Sequence, residues 1–153
     1  MAHRCSLVLA ALTLVSLASP SRADLIGGVE FPDGLASFAD AVVSCAPNIS
    51  GAGQPTAPYR DCSRAVGAPD VSSPGVNYVS LGDGGSIVLR FVDNSLTGSG
   101  DPDNDLWIFE IGPDVEDTFV WISGNGIDWS SVGKVTGSTR GIDIDAFGFG
   151  LGQ

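Results

Sequence analysis

The chain has 153 residues, with 18 acidic and 7 basic side chains and a formal net charge of −11. This length suits a single compact domain, and a content of 43% hydrophobic and 16% charged residues is too apolar for an intrinsically disordered chain. The acidity disfavours nucleic acid and anionic membranes as partners, and 21 glycines with 9 prolines disfavour a helical bundle.

The N-terminal region has the layout of a secretory signal peptide. A basic start precedes the apolar run 7–17, and small residues at Ser21 and Ala23 form a cleavage site. The apolar run is too short to span a bilayer. We therefore expect residues 1–23 to be removed, leaving 24–153 as one secreted or cell-surface domain without a transmembrane span.

Removal of the signal peptide changes which chemistry is available. The only histidine, His3, leaves with it, which excludes Ser-His-Asp and Cys-His catalysis and most zinc sites. Arg4 and Arg22 also leave, so five basic side chains face 18 acidic ones and the net charge becomes −13. Cations are the natural partners of such a domain.

Two cysteines, Cys45 and Cys62, remain in the mature chain, 17 residues apart. An even pair in an exported chain favours a disulfide. The other interpretation, a reactive thiol pair, lacks both the Cys-X-X-Cys spacing and the basic neighbours that generate a thiolate.

Turn residues and apolar alternation predict the elements in chain order. The apolar stretch 36–43 favours a first strand, and the Gly-, Pro- and Ser-rich region 44–74 favours a long surface excursion pinned by the disulfide. Asn48 begins an Asn-Ile-Ser triplet in that excursion, which is meaningful only in a host that glycosylates such sites.

Strand signals recur at short spacing in the second half of the chain, and Asn125-Gly126 is a strong hairpin turn signal. Short strands with Gly-rich turns predict an all-β sandwich or jelly roll. The predicted strands are 77–81, 86–91, 106–111, 119–122, 129–132 and the alternating segment 142–145.

The Gly-rich loop 98–105 carries the densest cluster of oxygen donors. Its alternating carboxylates can converge on one point, and Ca²⁺ accepts six to eight such oxygens. The other interpretation is a solvated acidic turn, although like charges packed this closely repel and an ion would relieve that cost. The predicted ligands are Asp101, Asp103 and Asp105 in the loop, with Asp93, Asp143 and Asp145 as further candidates.

Two other features of the sequence are candidates for a functional site. Asp143 and Asp145 share one face of the predicted strand, about 7 Å apart, and paired carboxylates at that separation serve glycoside hydrolysis, although solvent-facing or metal-binding roles are commoner. Trp121 points away from Val120 and Ile122, so we expect its ring to be more accessible than that of Trp107. It is therefore a candidate for stacking on a sugar, and a position in the core is the alternative.

Three stretches together carry a family resemblance. Residues 64–70, 79–86 and 93–113, the last including Leu-Trp-Ile-Phe-Glu-Ile-Gly-Pro, resemble a largely uncharacterised family of secreted bacterial cell-surface proteins. Many members of that family end in a PEP-CTERM or similar sorting signal. Residues 120–129 are also similar to the hairpin of discoidin-type, galactose-binding-like domains, with Asn125 where Asp is more usual.

The resemblance implies an eight-stranded jelly-roll β-sandwich with an extracellular binding or matrix role and no enzymatic activity. Relatives continue beyond the segment 141–148 with further strands, so a C-terminally truncated domain is expected. The expected function is a non-catalytic, Ca²⁺-stabilised binding module with carbohydrate as the first ligand class. The alternatives are a structural cell-surface or matrix component that binds protein partners and, third, a carboxylate-pair glycosidase.

Overall fold

The computed structural model describes residues 23–51, 53–72, 76–111 and 116–150. The expected signal peptide, except for Ala23, lies outside them. Within these ranges the chain forms eight strands and four short 3-10 segments, with no helix of seven or more residues. The prediction of an all-β domain is therefore confirmed.

The strands are short, three to seven residues each. They are β1 Asp24–Ile26, β2 Val29–Phe31, β3 Ala41–Ala46, β4 Ser86–Arg90, β5 Leu106–Phe109, β6 Asp117–Ile122, β7 Ser130–Thr136 and β8 Thr139–Ile142. The 3-10 segments are Gly34–Ser37, Ala57–Tyr59, Cys62–Ala65 and Asp145–Phe147.

The strands pair two by two in antiparallel fashion, as β1–β2, β3–β4, β5–β8 and β6–β7. The β6–β7 hairpin is nested inside the β5–β8 pair, and the long excursion lies between β3 and β4. Among the described residues no sheet has more than two strands. A jelly roll needs two larger sheets, so the present pairing supports the all-β class and leaves the jelly roll as a proposal.

Two predicted strands in the first half differ from the structure. The stretch 36–43 is divided, because the turn at Gly34, with φ of 57°, opens a 3-10 segment and the strand begins only at Ala41. Residues 77–81 form no strand; Ser80 N–H and Leu81 C=O instead make isolated backbone hydrogen bonds with the excursion.

The predicted strand over 142–145 is also shorter than expected. β8 ends at Ile142, because the carboxylate of Asp143 accepts the Asp145 backbone N–H at 3.0 Å and starts a turn. Gly148, with φ of 85°, then closes the 3-10 segment in a left-handed conformation that suits glycine. Asp143 and Asp145 are consequently turn residues rather than neighbours on one strand face.

A core cluster of apolar side chains, which does not include the buried Phe31 and Phe38, lies between the β6–β7 hairpin and the β5–β8 pair. Ile122, Ile142 and Ile144 are buried there, and Ile144 is fully inaccessible to solvent. Strand alternation turns Val120 and Ile122 inward and leaves the intervening side chains outside. The partly buried residues packed on this core are Leu96, Leu106, Ile108, Val120, Val132, Val135 and Phe149.

The predicted disulfide is confirmed. It joins Cys45 near the end of β3 to Cys62 at the start of a 3-10 segment, with Cα atoms 6.4 Å apart. The bridge therefore fixes the middle of the excursion to β3.

We expect the double variant Cys45→Ser/Cys62→Ser to lose about 3 kcal/mol of unfolding free energy, because a closed loop of this size restricts the unfolded chain. Urea unfolding followed by tryptophan fluorescence measures the loss. Ser44→Ala, on the same strand but outside the bridge, is the control and should unfold near the wild-type midpoint. An unchanged midpoint in the double variant would contradict the assigned role of the bridge.

Candidate functional site

Strand pairing assembles an acidic cluster at one end of the β5–β8 pair. Leu106 pairs with Ile142, and the backbone N–H of Asp105 donates to the Ile142 carbonyl at 3.0 Å. This register brings Asp105, directly before β5, beside Asp143 and Asp145, which follow β8. We call these three residues the acidic cluster.

The three carboxylates converge. One oxygen from each of Asp105, Asp143 and Asp145 lies within 4.8 Å of the other two, and all three residues are half-buried. Asp105 also joins the loop 98–105 to the segment after β8. Its Oδ1 accepts the Ser99 N–H at 2.7 Å, and its Oδ2 accepts the Ile144 N–H at 3.0 Å.

The carboxylate of Asp145 is only partly satisfied. Its Oδ2 accepts the Gly100 N–H at 2.5 Å, whereas its Oδ1 is buried and accepts no hydrogen bond from the residues that the structure describes. Oδ1 lies so close to Gly98 that a Cβ at that position would sit 1.8 Å from it. A buried carboxylate oxygen without a partner is costly, and a cation is one way to remove that cost.

The acidic cluster includes three of the six predicted metal ligands. The other three, Asp93, Asp101 and Asp103, are exposed and lie outside it. Asp101 folds the loop on itself instead, since its Oδ1 accepts both the Ser99 hydroxyl and the Asp103 N–H. Three convergent carboxylates form a set of hard oxygen donors, which suits Ca²⁺ or Mg²⁺ better than a softer metal.

A second feature lies on the outer face of the β6–β7 hairpin. Phe119 and Trp121 are 61% and 51% exposed, and their ring centroids lie 6.1 Å apart at an interplanar angle of 32°. Trp129, directly before β7, is 46% exposed. We call Phe119 and Trp121 the aromatic pair; the predicted accessibility of Trp121 is confirmed.

Polar side chains border the aromatic pair. Lys134, opposite Phe119 in the strand register, donates to Asp117 Oδ2 at 2.7 Å, and the Thr136 hydroxyl donates to the same carboxylate. Both hydrogen bonds lower the pKa of Asp117 below its ordinary value, and the one from Lys134 has the larger effect. The outer face of the hairpin therefore combines apolar ring surface with a charged and hydroxyl-bearing edge.

The turn that joins the two strands is ordered by its own side chains. Asn125 Oδ1 accepts the backbone N–H groups of Ile127 and Asp128, both at 2.8 Å, and Gly126 has φ of 72°. The predicted hairpin is thus confirmed, with Asn125 and Gly126 inside a seven-residue connection, 123–129, rather than in a two-residue turn.

A separate cavity of about 550 Å³ is lined in part by Asp70, Phe109 and Glu110. Asp143 and Asp145, the predicted hydrolytic pair, do not line it. Its own acids are engaged locally: the Ser72 hydroxyl and nearby backbone N–H groups hold the pKa of Asp70 well below its usual range, and Glu110 accepts the Glu116 N–H at 3.0 Å.

Sequence reasoning missed Phe119 as a partner of Trp121. The signal is present in the sequence, because residues two apart on a strand share a face. Comparison with known protein families, characterised proteins and solved structures found no match to this chain.

In the ranges that the structure describes, no helix is long and apolar enough to cross a membrane.

Proposed function

We propose that the chain is a secreted or cell-surface, non-catalytic binding domain that takes carbohydrate on the aromatic pair of the β6–β7 hairpin. The observation that carries this proposal is the exposure of Phe119 and Trp121, in mutual contact, on a face that the core does not use. Large aromatic side chains grouped on the surface of a small domain favour a binding role.

Carbohydrate is the ligand class that suits both parts of this face. The C–H face of a pyranose packs on an aromatic ring, and its hydroxyl groups need hydrogen-bond partners around that ring. Lys134, Asp117 and Thr136 supply such groups next to Phe119. A neutral or cationic sugar is favoured over an anionic one, because the domain expected after removal of the signal peptide carries a net charge of −13.

The acidic cluster supports the second part of the proposal, a Ca²⁺ ion that stabilises the domain. The ion would be held by Asp105, Asp143 and Asp145, and it would neutralise the partly satisfied carboxylate of Asp145. Its role is structural, since it would tie the loop 98–105 to the end of β8 and to the core residue Ile144. The jelly-roll assignment belongs to the same proposal and rests on the family resemblance.

A glycan array tests the carbohydrate assignment. We expect the wild-type domain to bind at least one glycan class and Trp121→Ala to lose about tenfold or more of that affinity, because truncation removes a stacking surface worth on the order of 1 to 3 kcal/mol. Leu25→Ala is the control, since Leu25 is a 75% exposed apolar residue on a different strand pair.

Retained binding in Trp121→Ala, or equal losses in both variants, would place the ligand elsewhere. A blank array for the wild-type domain would remove carbohydrate from the proposal.

The second candidate, a structural surface or matrix component with a protein partner, is favoured by the strand edges. In the described ranges each strand has a single strand neighbour, so each sheet keeps two edges able to accept an added strand. Such a partner would bind through backbone groups, and its binding would survive Trp121→Ala. The same variant therefore discriminates between the two candidates.

A further inference from the structure

The only two tyrosines of the chain stack on each other in the segment that joins β3 to β4. Tyr59 ends the 3-10 segment Ala57–Tyr59, and Tyr78 lies 19 residues further along the chain. Their rings are nearly parallel, at an interplanar angle of 9°, with centroids 4.6 Å apart. Neither tyrosine belongs to the aromatic pair or to the acidic cluster.

A backbone hydrogen bond and the disulfide constrain the segments that carry the two rings. The Ser80 N–H donates to the Tyr59 carbonyl at 2.8 Å, and Cys62, three residues after Tyr59, is bridged to Cys45. A hydrogen bond between the hydroxyl groups, followed by burial, raises the pKa of Tyr78 above its ordinary value. The two phenols are therefore adjacent at their oxygen ends, and both side chains are half-buried rather than sealed from solvent.

We propose that Tyr59 and Tyr78 form a modification site at which oxidation joins the two rings as an intramolecular dityrosine. The co-reactants are hydrogen peroxide and a haem peroxidase, which remove one electron and the hydroxyl proton from each phenol. The two radicals then couple through ring carbons ortho to the oxygens. The two hydrogens on those carbons move to the oxygens and restore both phenols, while the peroxide takes up two electrons and two protons and becomes two waters.

Proximity favours coupling within one molecule. Two groups held in contact react as though their concentration were far above that of any second molecule in solution. The new bond would close the chain between residues 59 and 78, beside the disulfide, and would brace the excursion a second time. This inference does not depend on carbohydrate binding or on Ca²⁺.

The experiment treats dilute, folded protein with peroxidase and hydrogen peroxide. We expect dityrosine fluorescence in the monomer fraction, an intact mass lower by two hydrogen atoms, and a joined peptide that contains both Tyr59 and Tyr78. Tyr59→Phe and Tyr78→Phe keep a ring at each position and should abolish all three signals in the monomer. Wild-type protein unfolded in denaturant should give about tenfold less monomeric dityrosine, because the rings are no longer held together.

Two results would overturn the proposal. One is the absence of dityrosine from the wild-type monomer under conditions that couple a free tyrosine derivative. The other is coupling that appears only in covalent dimers and rises with protein concentration. The peptide map is made on the wild-type chain, so the test stands even if a phenylalanine variant fails to fold.

Discussion

Replacing Ile144 with alanine should lower the free energy of unfolding by about 3 kcal/mol, the largest single-residue loss that we expect in this domain. Among the described residues, Ile144 is the one core residue with no solvent exposure, and it lies between the β5–β8 pair and the β6–β7 hairpin. Truncation leaves a cavity that a core of short strands cannot fully close. Urea unfolding followed by tryptophan fluorescence measures the loss.

Ile127→Ala is the matched control, because it is the same chemical change at a residue that is 80% exposed. It should change the unfolding free energy by less than about 0.5 kcal/mol. Similar effects of the two variants would contradict the assignment of the core around Ile144. We also expect Ile144→Ala to weaken any cation effect, because the cavity loosens the segment whose backbone N–H, retained in the variant, positions Asp105 in the acidic cluster.

The second large effect is that of Asp145→Asn on the free energy of unfolding. The sign of this effect should reverse when Ca²⁺ is added. Without the ion, the variant should be as stable as the wild type or more stable, because it removes one of three mutually repelling carboxylates. With Ca²⁺ at a hundred times its dissociation constant, the wild type should gain about 2.7 kcal/mol and the variant little. Thermal unfolding in EGTA and in millimolar Ca²⁺ measures both differences.

Asp103→Asn provides a control with the same loss of charge at an exposed position outside the acidic cluster. It should keep the full Ca²⁺ response of the wild type. An equal loss of Ca²⁺ stabilisation in both variants would mean that the ion acts through the overall negative charge and not through the acidic cluster. A wild-type melting temperature that is the same in EGTA and in Ca²⁺ would remove the ion from the account.

Local sequence patterns predicted much of the second half of the chain. The alternation of apolar and polar residues around Asn125-Gly126 located the β6–β7 hairpin and the outward orientation of Trp121, because a two-residue period determines which face a side chain takes. Composition and cysteine pairing predicted the all-β class and the Cys45–Cys62 bridge.

Features that depend on contacts distant in sequence were harder to predict. The acidic cluster forms because β5 pairs with β8 across an inserted hairpin, so Asp105 meets Asp143 and Asp145 while its loop neighbours Asp101 and Asp103 do not. The end of β8 at Ile142 follows from a side-chain hydrogen bond that apolar alternation does not report. Likewise, no sequence pattern joins Tyr59 to Tyr78.

The central claim is that carbohydrate binds on the outer face of the β6–β7 hairpin. Its most direct test is an NMR titration of the ¹⁵N-labelled domain with a glycan selected on the array, following the indole N–H signals of the three tryptophans. We predict that Trp121 shifts most, while Trp107, a half-buried residue on β5, stays nearly unchanged. Shifts centred on Trp107, or on backbone signals away from β6 and β7 with Trp121 unaffected, would contradict the claim.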